Sequence, residues 1–130
     1  MSNSAKSKLY AFERALFLKS RTMKTAGAFG AVGALSAILD DLGTESIVQT
    51  DPVANAAFAK LSADIGTIGA ALQTGATDVA VQLYAGLVSA MPTIHSLVYQ
   101  ALPEEVRGSG PTDHSVLTMA AQRASAILGL

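Results

Sequence analysis

The side chains of this sequence that best suit contact with a ligand are concentrated in its first 24 positions. Lys and Arg recur there at spacings of one to two helical turns, and aromatic side chains stand between them. This pattern suits a polyanion, because cations pair with phosphates while aromatic rings can lie against sugars or bases. The candidate contact residues are Lys6, Lys8, Tyr10, Arg14, Phe17, Lys19, Arg21 and Lys24.

Other groupings of reactive residue types do not predict a catalytic site. Asp113, His114 and Ser115 have the types of a hydrolase triad, but neighbours on a helix point about 100° apart and cannot form the relay. The chain has two histidines and no cysteine, which predicts neither a metal site nor a cofactor. His95 lies in an apolar run, which favours a packed or interfacial histidine. We therefore expect a protein that is not an enzyme.

Charge is divided unevenly along the chain. Residues 1–24 hold six cations and one acid, for a net charge of +5, whereas residues 25–130 hold three cations and nine acids, for −6. The N-terminal cations could therefore meet DNA or RNA, an acidic patch on a neighbouring copy or another partner, or a membrane surface. The sequence leaves these three alternatives open.

Composition indicates that part of the surface is covered by something else. Only 15% of the residues are charged, whereas an average soluble domain has about 25%. A chain of 130 residues suits one domain with a large surface for its volume. We expect a like subunit, a partner or lipid to cover that surface.

Helix signals run along the whole chain. They include a polar start at Ser4 for a helix to about Thr22, a linker at 44–50 that could be extended, and Asp51-Pro52 before a helix ending at Gly75. Thr77 begins a further helix, which Pro92 should kink or end. The prediction is an all-α fold, a compact bundle of about four to six helices with Ala/Gly-rich close packing. Within one domain, 1–24 form a basic helix and 25–130 a helical core.

Small residues recur at helical spacing in two of these segments. Glycine in a helix lowers stability by roughly 1 kcal/mol relative to alanine, so close helix contacts should offset that loss. We predict that these residues pack helices together, within the chain or between copies. The helix-packing candidates are Ala26, Gly30, Ala34, Ala59, Ala63 and Ala71.

A membrane-associated protein is an alternative interpretation. The uncharged run Val79–Leu102 is long enough to span a bilayer, for which about 20 residues are needed. It also contains Gln82, Pro92, His95 and Gln100, which disfavour a lipid-facing helix. A small helical adaptor that binds one protein partner is a further alternative.

The layout resembles the coat proteins of filamentous or rod-shaped viruses with helical symmetry. The residues that carry the resemblance are the basic set from Lys6 to Lys24 and the small-residue helices Ala26–Leu39 and Val53–Thr74. The resemblance implies a structural protein of a virion whose basic helix faces the genome while apolar helices pack between subunits. Few basic residues follow Lys24, which departs from a coat that wraps DNA on several faces. The expected location is the virion or the cytoplasm.

Overall fold

The computed structural model describes residues 4–101 and 114–129, and this part of the chain is all-α, with no strand. It forms a compact bundle, as predicted. A 3-10 turn at Thr22–Lys24 separates the first helix from the second. The six described helices are α1 Ser4–Leu18, α2 Ala28–Gly43, α3 Ser46–Thr50, α4 Pro52–Gln73, α5 Thr77–Ala101 and α6 His114–Leu128.

Helix α4 has the boundaries that its end residues predict. The Asp51 carboxylate accepts hydrogen bonds from the backbone N–H groups of Val53 (2.9 Å) and Ala54 (3.0 Å), which no helical carbonyl can satisfy. At the other end Gly75 has a φ of +77°, a conformation that favours glycine. The chain therefore turns sharply there, and α4 and α5 pack as neighbours.

Helix α1 ends earlier than the predicted Thr22. The carbonyl of Leu16 accepts hydrogen bonds from the Tyr84 hydroxyl and from Ser20 Oγ, the latter at 3.4 Å. The backbone N–H of Ser20 donates instead to the carbonyl of Phe17, at 3.3 Å. The hydroxyl groups of Tyr84 and Ser20 thus take the place of the backbone N–H of Ser20 at the Leu16 carbonyl. The helix therefore ends at Leu18.

The prediction of a linker that could be extended at 44–50 is wrong, because Ser46–Thr50 form the short helix α3. Ile47 and Val48 are β-branched, and such residues favour extended backbone in isolation. Val48 is buried and Ile47 is packed against the core, so tertiary packing decides the conformation.

One hydrophobic core joins the basic N-terminal helix to the rest of the described chain. Leu9, Phe12 and Leu16 on α1 belong to the same buried cluster as residues of α2, α4, α5 and α6. Helix α5 runs through Pro92 without ending there. Because α1 is part of this core, the positions of its outward cations are set by the bundle.

Candidate functional site

The predicted cations of the N-terminal segment differ in their exposure. Arg14, Arg21 and Lys24 are exposed, and Lys19 is half-buried. Lys24 Nζ lies 3.5 Å from the position that a Cβ would take on Gly129. It therefore lies beside the C-terminal end of α6, where the helix dipole favours a cation.

Lys8 is engaged within the chain. Its Nζ lies 2.8 Å from Glu45 Oε2 and 3.3 Å from Asp41 Oδ1, and the hydrogen bond to Glu45 raises the pKa of Lys8. The ammonium group joins α1 to the end of α2 and the start of α3. Among the predicted contact residues, Lys8 thus has a local structural role that accounts for its charge.

Tyr10 has two neighbours within the chain, His95 and Lys6. The Tyr10 ring centroid lies 5.5 Å from that of His95, with the two ring planes 34° apart. Lys6 Nζ lies 5.9 Å from the Tyr10 ring centroid, within the range of a cation–π contact. The Tyr10 ring, a predicted contact residue, therefore already has contacts within the chain.

The partner of His95 is Glu13, a contact that the sequence did not predict. Glu13 and His95 are both 2% exposed, and Glu13 Oε2 lies 2.6 Å from His95 Nδ1. Burial raises the pKa of Glu13, and the hydrogen bond to His95 opposes that shift. Glu13 Oε1 has no hydrogen-bond partner within the described part of the chain. Two signals were present in the sequence: Glu13 is the one acid of its segment, and it lies beside the apolar stripe of α1.

Phe17 lies in an apolar groove between α1 and α6 rather than on an open cationic stripe. The groove has a volume of about 320 Å³. Leu18 and Met119 are 69% and 53% exposed there, and the exposed Arg123 adds a positive charge. The residues of this α1–α6 groove are Phe17, Leu18, Met119, Ala120, Arg123, Ala124 and Ile127.

A second groove, between α2 and α4, is lined by small side chains. Its volume is about 420 Å³, and Phe29, 52% exposed, lies at its edge. Asp40 is the one charged residue that lines it. The residues of this α2–α4 groove are Phe29, Val32, Gly33, Ser36, Leu39, Asp40, Ser62, Ile65, Gly66, Gly69, Ala70 and Gln73.

Packing within the described chain does not require glycine at two positions of this groove. A Cβ added at Gly33 or Gly66 would have no heavy atom of a packed neighbour within 4 Å. Gly43 shows the contrast, because a Cβ there would lie 2.7 Å from Phe58 Cζ. The close contact with Phe58 accounts for Gly43, whereas Gly33 and Gly66 leave open space.

The predicted helix-packing residues lie mostly on the outside. Ala26 and Gly30 are exposed and Ala34 is half-buried, and Ala26 precedes α2 rather than belonging to it. Ala71 is buried in the core. On α4, Ala59 and Ala63 are exposed. Helix α2 instead packs within the chain through a different set of residues, which are Ala28, Ala31, Val32, Leu35, Leu39 and Leu42.

The described residues contain no group of three His, Cys, Asp or Glu side chains that could hold a metal ion. The Asp113 position and the side chains of His114 and Ser115 lie outside the described residues. The segment Thr77–Val98 is long and apolar enough to cross a membrane by length and composition, a test that core helices of soluble proteins also pass.

No protein-family model matches this chain, and no curated protein or solved structure matches it either.

Proposed function

We propose that this chain is a non-enzymatic structural protein that assembles with copies of itself, in the manner of a virion coat protein. The observation that carries the proposal is the α2–α4 groove with its two open glycines, Gly33 and Gly66. Glycine inside a helix lowers stability by about 1 kcal/mol relative to alanine, and packing within the described chain does not require glycine at either position. Close approach of a second copy accounts for both glycines.

Two further features support the same proposal. The exposed ring of Phe29 stands at the edge of a groove that small residues leave open, and aromatic side chains are typical anchors of protein interfaces. The low share of charged residues, 15%, also favours a surface that is covered in the assembled state.

The first test replaces Gly33 and Gly66 with alanine. We expect each replacement to raise the free energy of unfolding of the single chain by about 0.5–1 kcal/mol. The same replacements should reduce self-association, because each methyl group occupies space that the second copy needs. Denaturant unfolding at low protein concentration measures the first effect, and light scattering at moderate salt measures the second.

Leucine substitutions at three positions identify the surface through which the copies associate. Gly33→Leu adds bulk in the groove, Gly30→Leu adds it on the outward side of α2, and Ala11→Leu adds it at an exposed position of α1 outside both grooves. We expect Gly33→Leu to lower the mass of the particles and Ala11→Leu to leave it unchanged. Loss of assembly with Gly30→Leu alone would move the interface to the outward side of α2. A wild-type chain that stays monomeric would contradict self-assembly and leave the adaptor.

Contact with nucleic acid is a second candidate function, carried by the exposed cations Arg14, Arg21 and Lys24. The one acid in the same segment, Glu13, is buried and does not offset their charge at the surface. In an assembly, a positive surface of this kind would face the genome, and the DNA or RNA backbone would be its ligand.

Replacing Arg14, Arg21 and Lys24 together with glutamine should weaken nucleic-acid binding and flatten its salt dependence. On duplex DNA, each phosphate that a cation neutralises adds about 0.9 to the steepness of log K against log salt, so removing these cations makes the slope shallower. Lys8→Gln is the control, because its ammonium group is paired with Glu45 and Asp41. An unchanged slope in the triple variant would remove nucleic acid and leave a protein or membrane surface as the partner.

A further inference from the structure

Asp40 is an exposed carboxylate that no contact within the described chain explains. Its side chain takes part in none of the ion pairs or hydrogen bonds of the described residues. Asp78 lies in the first turn of α5, where the helix dipole favours an acid. The remaining described acids all have a hydrogen-bond or ion-pair partner, and they are Glu13, Asp41, Glu45, Asp51 and Asp64.

The position of Asp40 is unfavourable in the single chain. It lies in the last turn of α2, where the helix dipole disfavours a negative charge and where no basic residue occurs. The neighbouring Asp41 has Lys8 Nζ at 3.3 Å, but Asp40 points into the α2–α4 groove, on the same side of α2 as Gly33. A cation that entered this groove from outside would therefore offset the charge.

The α1–α6 groove offers such a cation beside exposed apolar side chains. Arg123 lines that groove, is exposed and takes part in none of the ion pairs of the described residues. Met119 precedes it by one helical turn and is 53% exposed, and Leu18 across the groove is 69% exposed. Leu18 is the most exposed of the large apolar side chains in the described residues. The described parts of α1 and α6 hold one acid, Glu13, and it is buried.

We infer that Leu18 and Met119 of one copy dock into the α2–α4 groove of the next copy, where Arg123 pairs with Asp40. The inference rests on the proposed self-assembly and names the surface that enters the groove. The two surfaces are complementary in size, since large apolar side chains meet the space beside Gly33. They are also complementary in charge, since each groove is lined by one charged residue and the two have opposite signs.

Charge also favours unlike surfaces over like ones. Two α2–α4 grooves placed face to face would bring two Asp40 carboxylates together, and two α1–α6 grooves would bring two Arg123 side chains together. Like charges that meet in an interface are unfavourable. A contact between two different surfaces leaves one of each kind free on every pair, so copies add head to tail and form a filament or a ring.

Two variants that each disable one surface provide the test. Gly33→Leu fills the α2–α4 groove but keeps the α1–α6 surface, whereas Leu18→Glu alters the α1–α6 surface but keeps the groove. After nuclease treatment, and at a concentration at which wild type assembles, we expect each variant alone to remain monomeric. An equal mixture should form a dimer and nothing larger, because it contains one intact pair of surfaces. Light scattering measures the mass.

Leu97→Glu is the matched control for Leu18→Glu. It makes the same change at another exposed leucine, 55% exposed, that lines neither groove. We expect its particles to have the wild-type mass, and circular dichroism verifies that every variant folds.

Charge reversal tests the pairing of Arg123 with Asp40. Arg123→Glu and Asp40→Lys should each lower the association constant about tenfold or more at low salt, because each brings like charges together. The double variant with both reversals should recover most of the association. Asp40→Lys should also stabilise the single chain, since a cation is favoured in the last turn of α2. Its loss of assembly would then not result from poor folding.

The outcomes separate this inference from the proposed function. If Gly33→Leu lowers the particle mass but Leu18→Glu and Arg123→Glu leave it at the wild-type value, copies assemble through the α2–α4 groove with a different partner surface. The inference is then overturned while self-assembly stands. The absence of dimer in the equal mixture would also overturn it. A wild-type chain that stays monomeric would contradict self-assembly itself.

Discussion

We expect His95→Ala to lower the free energy of unfolding by about 3–5 kcal/mol, because it removes the hydrogen-bond partner of the buried Glu13 carboxyl group. Glu13 is 2% exposed, and its Oε2 shares a hydrogen bond with His95 Nδ1, 2.6 Å away. Glu13 Oε1 already lacks a partner in the described chain. The variant would therefore leave both oxygens of Glu13 buried without a hydrogen bond. Denaturant unfolding measures the loss.

The double variant Glu13→Leu/His95→Phe is the decisive comparison. Apolar side chains of similar volume need no hydrogen bond, so replacing a whole buried pair is often neutral or stabilising. We expect the double variant to be close to wild type and far more stable than His95→Ala. If the stability lost by the double variant equals the sum of the losses from the two single substitutions, packing accounts for the lost stability and the Glu13–His95 pair does not.

The same pair gives a pH dependence of known sign. Burial raises the pKa of Glu13 above its ordinary value of 4.5, so the folded chain retains this proton at a pH where the unfolded chain has lost it. The stabilisation is present below the ordinary pKa and is lost as the pH rises through the raised value. We expect the stability of wild type relative to Glu13→Gln to fall over that interval. Asp64→Asn is the control, because Asp64 lies on the surface beside Lys60, 2.9 Å away.

Tyr84→Ala should also destabilise the fold by about 3–5 kcal/mol, the range for removal of a large buried ring. Tyr84 has no exposed surface, and its hydroxyl donates to the carbonyl of Leu16 at the end of α1. Tyr84→Phe separates the hydrogen bond from the ring, and we expect it to lower stability by about 1–3 kcal/mol. Calorimetry or denaturant unfolding distinguishes the two losses.

Alkaline pH provides an independent measurement on Tyr84. Burial raises its pKa above the ordinary value of 10.0, so its stabilising effect is present below that value and is lost as the pH rises above it. Tyr84→Phe should be less sensitive to alkali than wild type, and Tyr10→Phe, at a more exposed tyrosine, should change stability less. Equal alkaline sensitivity of wild type and Tyr84→Phe would contradict the burial of this phenol.

Local signals in the sequence predicted those parts of the fold that local physics determines. Asp51, Pro52 and Gly75 mark the two ends of α4, because capping and a positive φ depend on a few adjacent residues. The early end of α1 could not be predicted in this way. It depends on Tyr84, which lies 68 residues from Leu16 in the sequence.

Helical periodicity in the sequence predicted only some features of the candidate surfaces. Periodicity identified the exposed cations Arg14 and Arg21, but it could not show that Lys8 pairs with Glu45, 37 residues away. It also identified small-residue helices without telling which side of each helix the core leaves open. That choice is made by large residues such as Leu35 and Ile68, which occupy the core.

Two hydrogen bonds join α1 to α5, one between Glu13 and His95 and one between Leu16 and Tyr84. Neither can form until the ribosome has synthesised α5. Glu13 precedes His95 by 82 residues, which at about 5–20 residues per second correspond to roughly 4–16 s of translation. During that interval the ribosome has produced α1 and α2 but not His95 of α5. The apolar side of α1, with Leu9, Phe12 and Leu16, could then pack on α2 but not yet on α5, and α6 would be the last helix to join the core.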